Sequence, residues 1–297
     1  MSAQPTLELH VGGRLKPTLP RLWVQLSRVR RNTIGIIGAV IILATVLVAL
    51  VGPLVWRTDY ASQASRRLLA PTAAQPLGTD QLGRDQLSRI IHGAQVSLQV
   101  GMISVVIALV TGTIIGIVAG FYGRTVDAAL MRVVDIMFAF PGIVLAIVIA
   151  GLLGPSRTNA MIAIGIVYTP AFARVVRGST LSILSLPYVE AARSLGISDI
   201  RIILRHLLPN ITAPLIVLTT VYLSTAILTE AALSFLGLGT QPPEPSWGSM
   251  LNASRSYMER APWLAIAPGL AIMVVVLGFN FLGDGLRDVL DPQLRDA

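Results

Sequence analysis

Long stretches free of Asp, Glu, Lys and Arg recur along the chain. Six of them reach or approach the roughly 20 residues that a helix rising about 1.5 Å per residue needs to cross a hydrocarbon layer of about 30 Å. The first runs from about Ile34 to Trp56, with Trp56 suited to an interfacial anchor, and the second from about Val96 to Tyr122, rich in Gly and β-branched residues. The third, Val133 to Leu153, carries Asp135 near its start and a Phe140-Pro141-Gly142 break that neighbouring helices must compensate. The fourth, Thr158 to Ala173, is the shortest and holds Pro170. The fifth, Ile211 to Leu236, carries Glu230, and the sixth, Pro262 to Leu282, has no charge. Six crossings return both termini to one side.

Composition agrees with lipid as the main solvent. Only 13% of the 297 residues are charged, against about 25% in an average soluble chain, and the mean hydropathy is +0.72. The expectation is an all-α polytopic membrane protein with a tail over 1–33, a six-span domain over 34–283 and a tail over 284–297. The first apolar run follows a basic tail and is too long for a signal-peptide core, so it is expected to stay as a helix. A net charge of +8 suits either a nucleic-acid binder or a membrane protein with arginines along its cytoplasmic edge. The arginine map favours the second. The N-terminal tail (from Arg14 to Arg31), Arg124, Arg132, the group from Arg174 to Arg205, Arg287 and Arg295 fall on one side. The other side has the smaller share, including Arg57, Arg84, Arg157 and Arg260. The positive-inside rule then puts both termini in the cytoplasm. Absence of Cys excludes disulfides, thiolate metal sites and Cys nucleophiles.

Of the connections on that side, only the segment from Arg174 to Asn210 is long, with the informative part over 178–210. Pro187 suits a first helical turn, Glu190 lies near that helix's positive end, and Gly196 occupies the place of a left-handed C-terminal cap. This predicts a short helix over Pro187–Leu195. Ser198 and Asp199 offer an N-cap for a second helix, with Ile200, Ile203, Leu204 and Leu207 at helical spacing before Pro209 stops it. A helix, Gly elbow, helix unit outside a membrane has three readings. It can be an amphipathic connector on the headgroups, a DNA-reading helix-turn-helix, or a knob entering a groove of a soluble partner through a small Ala191-Ala192 face with Glu190 and Arg193 pairing to partner charges. Tethering between two spans and the few nearby arginines weigh against DNA.

Chemistry inside the chain has few parts. ATP hydrolysis needs a Gly-rich phosphate loop ending in Lys and Ser or Thr, and the only lysine is Lys16, followed by Pro17. His10, His92 and His206 are scattered, without a His-Glu-x-x-His or Gly-x-Ser-x-Gly context. No metal or cofactor site is expected. A secondary transporter would need ionisable groups within the membrane, and only Asp135 and Glu230 qualify. Asp135 is expected to pair with Arg132 three residues earlier, while Glu230 is either a polar group facing the pathway or a hydrogen-bonding anchor. Gly101, Gly112, Gly116 and Gly120 in the second span, with Gly278 in the sixth, are expected to let helices approach closely. The Gly237–Trp247 stretch, with three prolines, cannot be helical and reads as a rigid loop, a plug or a docking surface. Thr79 and Asp80 read as caps of a surface helix starting near Gln81, with Arg84 and Asp85 as a solvated pair.

Four separated motifs carry a resemblance. Glu190-Ala191-Ala192, then Gly196 and later Leu208-Pro209, resembles the cytoplasmic signature of the membrane subunits of bacterial ABC importers, with His206 in place of the usual Ile. Pro76 to Asp85, Leu233 to Gly248 and Gly283 to Pro292 are similar to the second, C-type permease subunit of dipeptide, oligopeptide and nickel importers. The resemblance implies the six-span importer permease fold and a non-enzymatic transport role for di- or oligopeptides, with nickel, glutathione or another small solute as the alternative cargo. It also implies a second permease subunit, an extracytoplasmic solute-binding protein and two ATPase subunits that hold ATP and Mg. Pro187–Leu195 then becomes the coupling helix, with Tyr188, Val189, Glu190, Ala191, Ala192, Arg193, Leu195, Gly196, His206 and Pro209 as the coupling residues. Gly196 is required because a Cβ at positive φ costs roughly 1 kcal/mol and re-aims the elbow.

Overall fold

The computed structural model describes residues 32–290, which are almost entirely helical, with one isolated bridge pairing Thr79 with Asp85. The tail expected over 1–33 lies outside the described residues except for Asn32 and Thr33. Ten helices follow: α1 (Thr33–Val55), α2 (Gln86–Tyr122), α3 (Arg124–Phe138), α4 (Gly142–Leu153), α5 (Arg157–Leu184), α6 (Pro187–Ser194), α7 (Asp199–Ile202), α8 (Leu208–Phe235), α9 (Trp247–Ser254) and α10 (Trp263–Leu290).

Five helical stretches are long and apolar enough to cross a membrane, and a sixth crossing exists if α3 and α4, bent by 94°, count together. The sequence predicted one span over Val133–Leu153. The structure breaks it, because Pro141 supplies no N–H and the residue before a proline is pushed away from helical geometry. At 12 residues, α4 covers only about 18 Å. The topology still requires a return here. Gly112 of α2 lies against Phe172 of α5, Gly116 against Ala173 and Val176, and Gly120 against Thr180. The two helices therefore run parallel, and the chain between them must come back across. Asp127 pairs with Arg177 and Asp135 with Arg174, so eight residues of α3 span only three of α5. Helix α3 lies across the end of the bundle, and α4 rises from it.

The other spans pack antiparallel. Gly35 and Gly38 of α1 meet Gly285 and Leu282 of α10, and Asn32 Nδ2 donates to Asp288 at 2.8 Å. Both ends of the described chain therefore lie at one end of the bundle, together with α6. Helix α10 continues unbroken past the expected boundary at 283. Helices α2 and α5 also outrun their predicted apolar stretches, since polar helix ends leave no mark on hydropathy. Most side chains of α1 are unburied and apolar, among them Val40, Leu43, Leu50 and Leu54, as lipid contact requires.

The predicted surface helix at Gln81 is absent. Residues 79–85 form a turn closed by Asp80, whose carboxylate accepts from Arg84 N and Leu82 N and from Arg84 Nε at 2.6 Å. Asp85 instead caps α2, accepting from Ser88 N at 2.7 Å. Arg84 and Asp85 are buried, and Arg84 pairs with Asp80, so the expected solvated pair is corrected. This turn holds the loop after α1 beside the start of α2, with Leu68 N–H reaching Asp80 O at 3.0 Å and Ser65 N–H reaching Gly83 O at 3.3 Å.

Candidate coupling elbow and the buried groups around it

The elbow forms as local chemistry directs. Pro187 opens α6, where a missing N–H costs nothing. At the other end Gly196 has φ +74°. Its N–H reaches Arg193 O at 2.9 Å and Ile197 N–H reaches Ala192 O at 3.1 Å, the pair of bonds that closes a helix through a left-handed residue.

The two faces of α6 do different things. Val189 joins a core that includes Ile183, Ile202, Leu207 and Ile211, and Ala192 is buried as well. Glu190, Ala191, Arg193 and Ser194 are exposed, and Leu195 is 80% exposed. The expected Ala191-Ala192 face is thus divided: adjacent helical residues point about 100° apart, and Ala192 belongs to the bundle while Ala191 faces outward. The Arg193 guanidinium lies 5.0 Å from the centre of the Phe121 ring at the end of α2, a cation–π contact that ties α6 to a second helix. Tyr188 is exposed and its ring leans on the half-buried His206, centroids 5.7 Å apart.

The second half of the elbow differs from the expectation. Ser198 precedes α7, but Pro209 does not stop the helix. It occupies the first turn of α8, entered through a widened helical turn over Ile203–Leu207 in which Leu208 N–H reaches Ile203 O. The extra residue changes which apolar side chains face inward. Ile202 and Leu207, five apart, are buried, while Ile200 and Leu204 are 62% and 57% exposed. Exposed apolar residues at this end therefore accompany the outward face of α6.

Charged groups on the same end have partners other than those read from spacing. Asp135 pairs with Arg174 Nη2 at 2.7 Å rather than with Arg132, and the Arg174 guanidinium lies 4.1 Å from the Phe138 ring centre. Asp127, which the sequence reading passed over, takes a two-pronged bond from Arg177. An acidic and a basic residue fifty positions apart gave no local signal.

Glu230 is 1% exposed. Its carboxylate accepts from Ser97 Oγ of α2 at 3.1 Å and from Ser234 Oγ at 2.7 Å. Those hydroxyls in turn accept from Trp247 N and Thr240 N, so the group joins α2 and α8 to the loop that follows α8. That loop is non-helical as far as Ser246. It then forms α9, which the sequence reading missed despite Ser246 and Ser249 building a capping box. Trp247 is buried, resting on Gly93 and donating to Ile90 O at 3.1 Å. Glu230→Leu should leave two buried hydroxyls without an acceptor, at about 1–3 kcal/mol each. Glu230→Gln retains an acceptor and should stay within about 1 kcal/mol of the parent; thermal unfolding in detergent checks both.

The structure is thus a bundle of helices long and apolar enough to cross a membrane, with a short elbow at one end that is packed on one face and exposed on the other. The family profile described as "Binding-protein-dependent transport system inner membrane component" matches residues 112–296, and that described as "N-terminal TM domain of oligopeptide transport permease C" matches residues 22–71. The dipeptide transport system permease protein DppC of Alkalihalophilus pseudofirmus is 48% identical over 270 residues, covering 91% of this chain and 89% of that protein. The di/tripeptide transport system permease protein DppC of Pseudomonas aeruginosa is 46% identical over 88% of each chain. The glutathione transport system permease protein GsiD of Pectobacterium atrosepticum is 49% identical over 76% of this chain and 75% of that one. Among solved structures, an inward-facing MetNI methionine ABC transporter chain shares the fold with a TM-score of 0.55 at 20% identity, covering 67% of this chain and 95% of that chain. The chain belongs to the family of binding-protein-dependent transport system inner membrane components. It is a multi-pass inner-membrane permease subunit of the ABC type.

Proposed function

We propose that this chain is half of the pathway through which di- and oligopeptides enter the cell, driven by separate ATPase chains that push on α6. The observation that carries the reading is the division of α6. Val189 and Ala192 are locked into the bundle core while Glu190, Ala191 and Leu195 are offered outward, which is what a lever needs: one face gripped, one face free to be moved. Closure of an ATPase dimer against the free face would displace α6 as a near-rigid body and move α8 through the turn that follows. ATP and Mg belong to those partner chains in this reading, and this chain catalyses no covalent step.

Peptide cargo is supported by relatives named for dipeptides and di/tripeptides across nearly the whole chain. The glutathione permease relative favours a second cargo of related chemistry, since glutathione is itself a tripeptide. Cytoplasmic placement of the elbow and of both termini is supported by the common end of the bundle that the elbow shares with Asn32 and Asp288 and by the arginines that the sequence gathers on that side. A second permease subunit and an extracytoplasmic solute-binding protein complete the proposed assembly.

Co-expression with the neighbouring genes tests the reading. Two ATPase chains are expected to co-purify, and peptide delivered by the binding protein is expected to stimulate ATP turnover. Gradient-driven uptake by this chain alone would overturn the proposal.

A further inference from the structure

Between α6 and α8 lies a contact made by Asn210, in the first turn of α8. Pro209 brings no N–H to the helical ladder, and the ladder widens just ahead of it, with Leu208 N–H reaching back five residues. Across this wide turn the Asn210 side chain donates from Nδ2 to His206 O at 2.6 Å and reaches Tyr188 Oη at 3.5 Å. The Tyr188 ring already leans on the His206 imidazole. One side-chain amide therefore links the first turn of α6, the wide turn and the first turn of α8. Wide turns inside helices are points where the ladder can change register, so an unclasped turn at this place would absorb motion instead of passing it on.

We propose that Asn210 is a positioning residue for force transfer: its amide clasps the wide turn to Tyr188, so that a displacement of α6 moves α8 instead of being lost in the turn. The proposal rests on the coupling reading above. Docking of α6 does not depend on the clasp, because Val189 packs in the core, Ala192 is buried and Gly196 closes the helix independently of it.

The experiment uses the whole complex in lipid vesicles and records ATPase co-purification, ATP consumed and peptide carried. Asn210→Leu keeps the branched shape and removes the amide. ATPase chains are expected to co-purify in the parent ratio, while ATP consumed per peptide carried rises about two- to threefold, the ratio that one long, exposed hydrogen bond supports. Tyr188→Phe keeps the ring against His206 and removes only the hydroxyl that Asn210 reaches, and it is expected to raise the same ratio in the same direction. An unchanged ratio in the Leu variant overturns the proposal, as does loss of the ATPase chains from that variant or a parent ratio in Tyr188→Phe. A parent complex that binds no ATPase overturns the coupling reading itself, whereas a coupled parent with an indifferent Leu variant removes only the clasp.

Discussion

Gly116→Val should prevent α2 and α5 from closing on each other and lower the unfolding temperature of the purified chain by several degrees. A Cβ at Gly116 would stand 2.6 Å from Ala173 O and 2.9 Å from Arg177 N. Both are backbone atoms, so no side chain can turn aside, and the helices must separate. Gly112 faces the same constraint, with Thr169 O at 2.8 Å from its notional Cβ. Small residues allow such approach in lipid, where packing rather than solvent exclusion drives association. Overpacking costs about 1–3 kcal/mol when neighbours can shift, and a backbone contact belongs at the top of that range or beyond it. Gly178 is the internal control. It lies in α5 with nothing within 4 Å of an added Cβ, so Gly178→Ala should be neutral or stabilising by up to about 1 kcal/mol. Equal unfolding temperatures for Gly116→Val and the parent would contradict the parallel α2–α5 packing.

The second large effect is functional and costs folding only the strain of one loop residue. Glu190→Arg combined with Gly196→Val should give a chain that inserts normally, binds its ATPase partners weakly and carries no peptide. Glu190 is exposed, so reversing its charge disturbs little inside the chain. A Cβ at Gly196 meets no atom within 4 Å, so the cost is that of a positive φ alone, roughly 1–2 kcal/mol, and it falls on the direction in which the chain leaves α6. Membrane yield, ATPase co-purification and uptake separate the outcomes. Uptake at the parent rate with both changes present would remove the elbow from the mechanism.

The spans were readable because lipid leaves so little freedom: apolar runs without charge have few other uses. The ends of α6 were readable for a different reason, since Pro187 and Gly196 each bring backbone chemistry suited to one end of a helix. What stayed hidden depends on partners distant in sequence. The Phe140-Pro141-Gly142 break was visible, but the lie of α3 across the bundle depends on Asp127 and Asp135 meeting Arg177 and Arg174. Arg84 appeared solvated because a charged residue in a Gly-containing loop usually is; its burial follows from Asp80 turning inward beneath it. The wide turn before Pro209 shifted the inward positions from the spacing of an ordinary helix to Ile202 and Leu207. The Ser246 cap of α9 was legible in principle, and eight residues between prolines and a polar loop gave the pattern too little length to register.

The most direct test of the elbow uses the absence of native cysteine. Single cysteines at Ala191 and Leu195, each carrying a photoactivatable cross-linker, are placed in the full complex alongside a control at Leu152, exposed at the far end of α4. Ala191 and Leu195 should capture an ATPase chain, with a yield that changes when ATP is added, and Leu152 should capture none. Capture of lipid alone at Ala191 and Leu195, with or without ATP, would contradict the account.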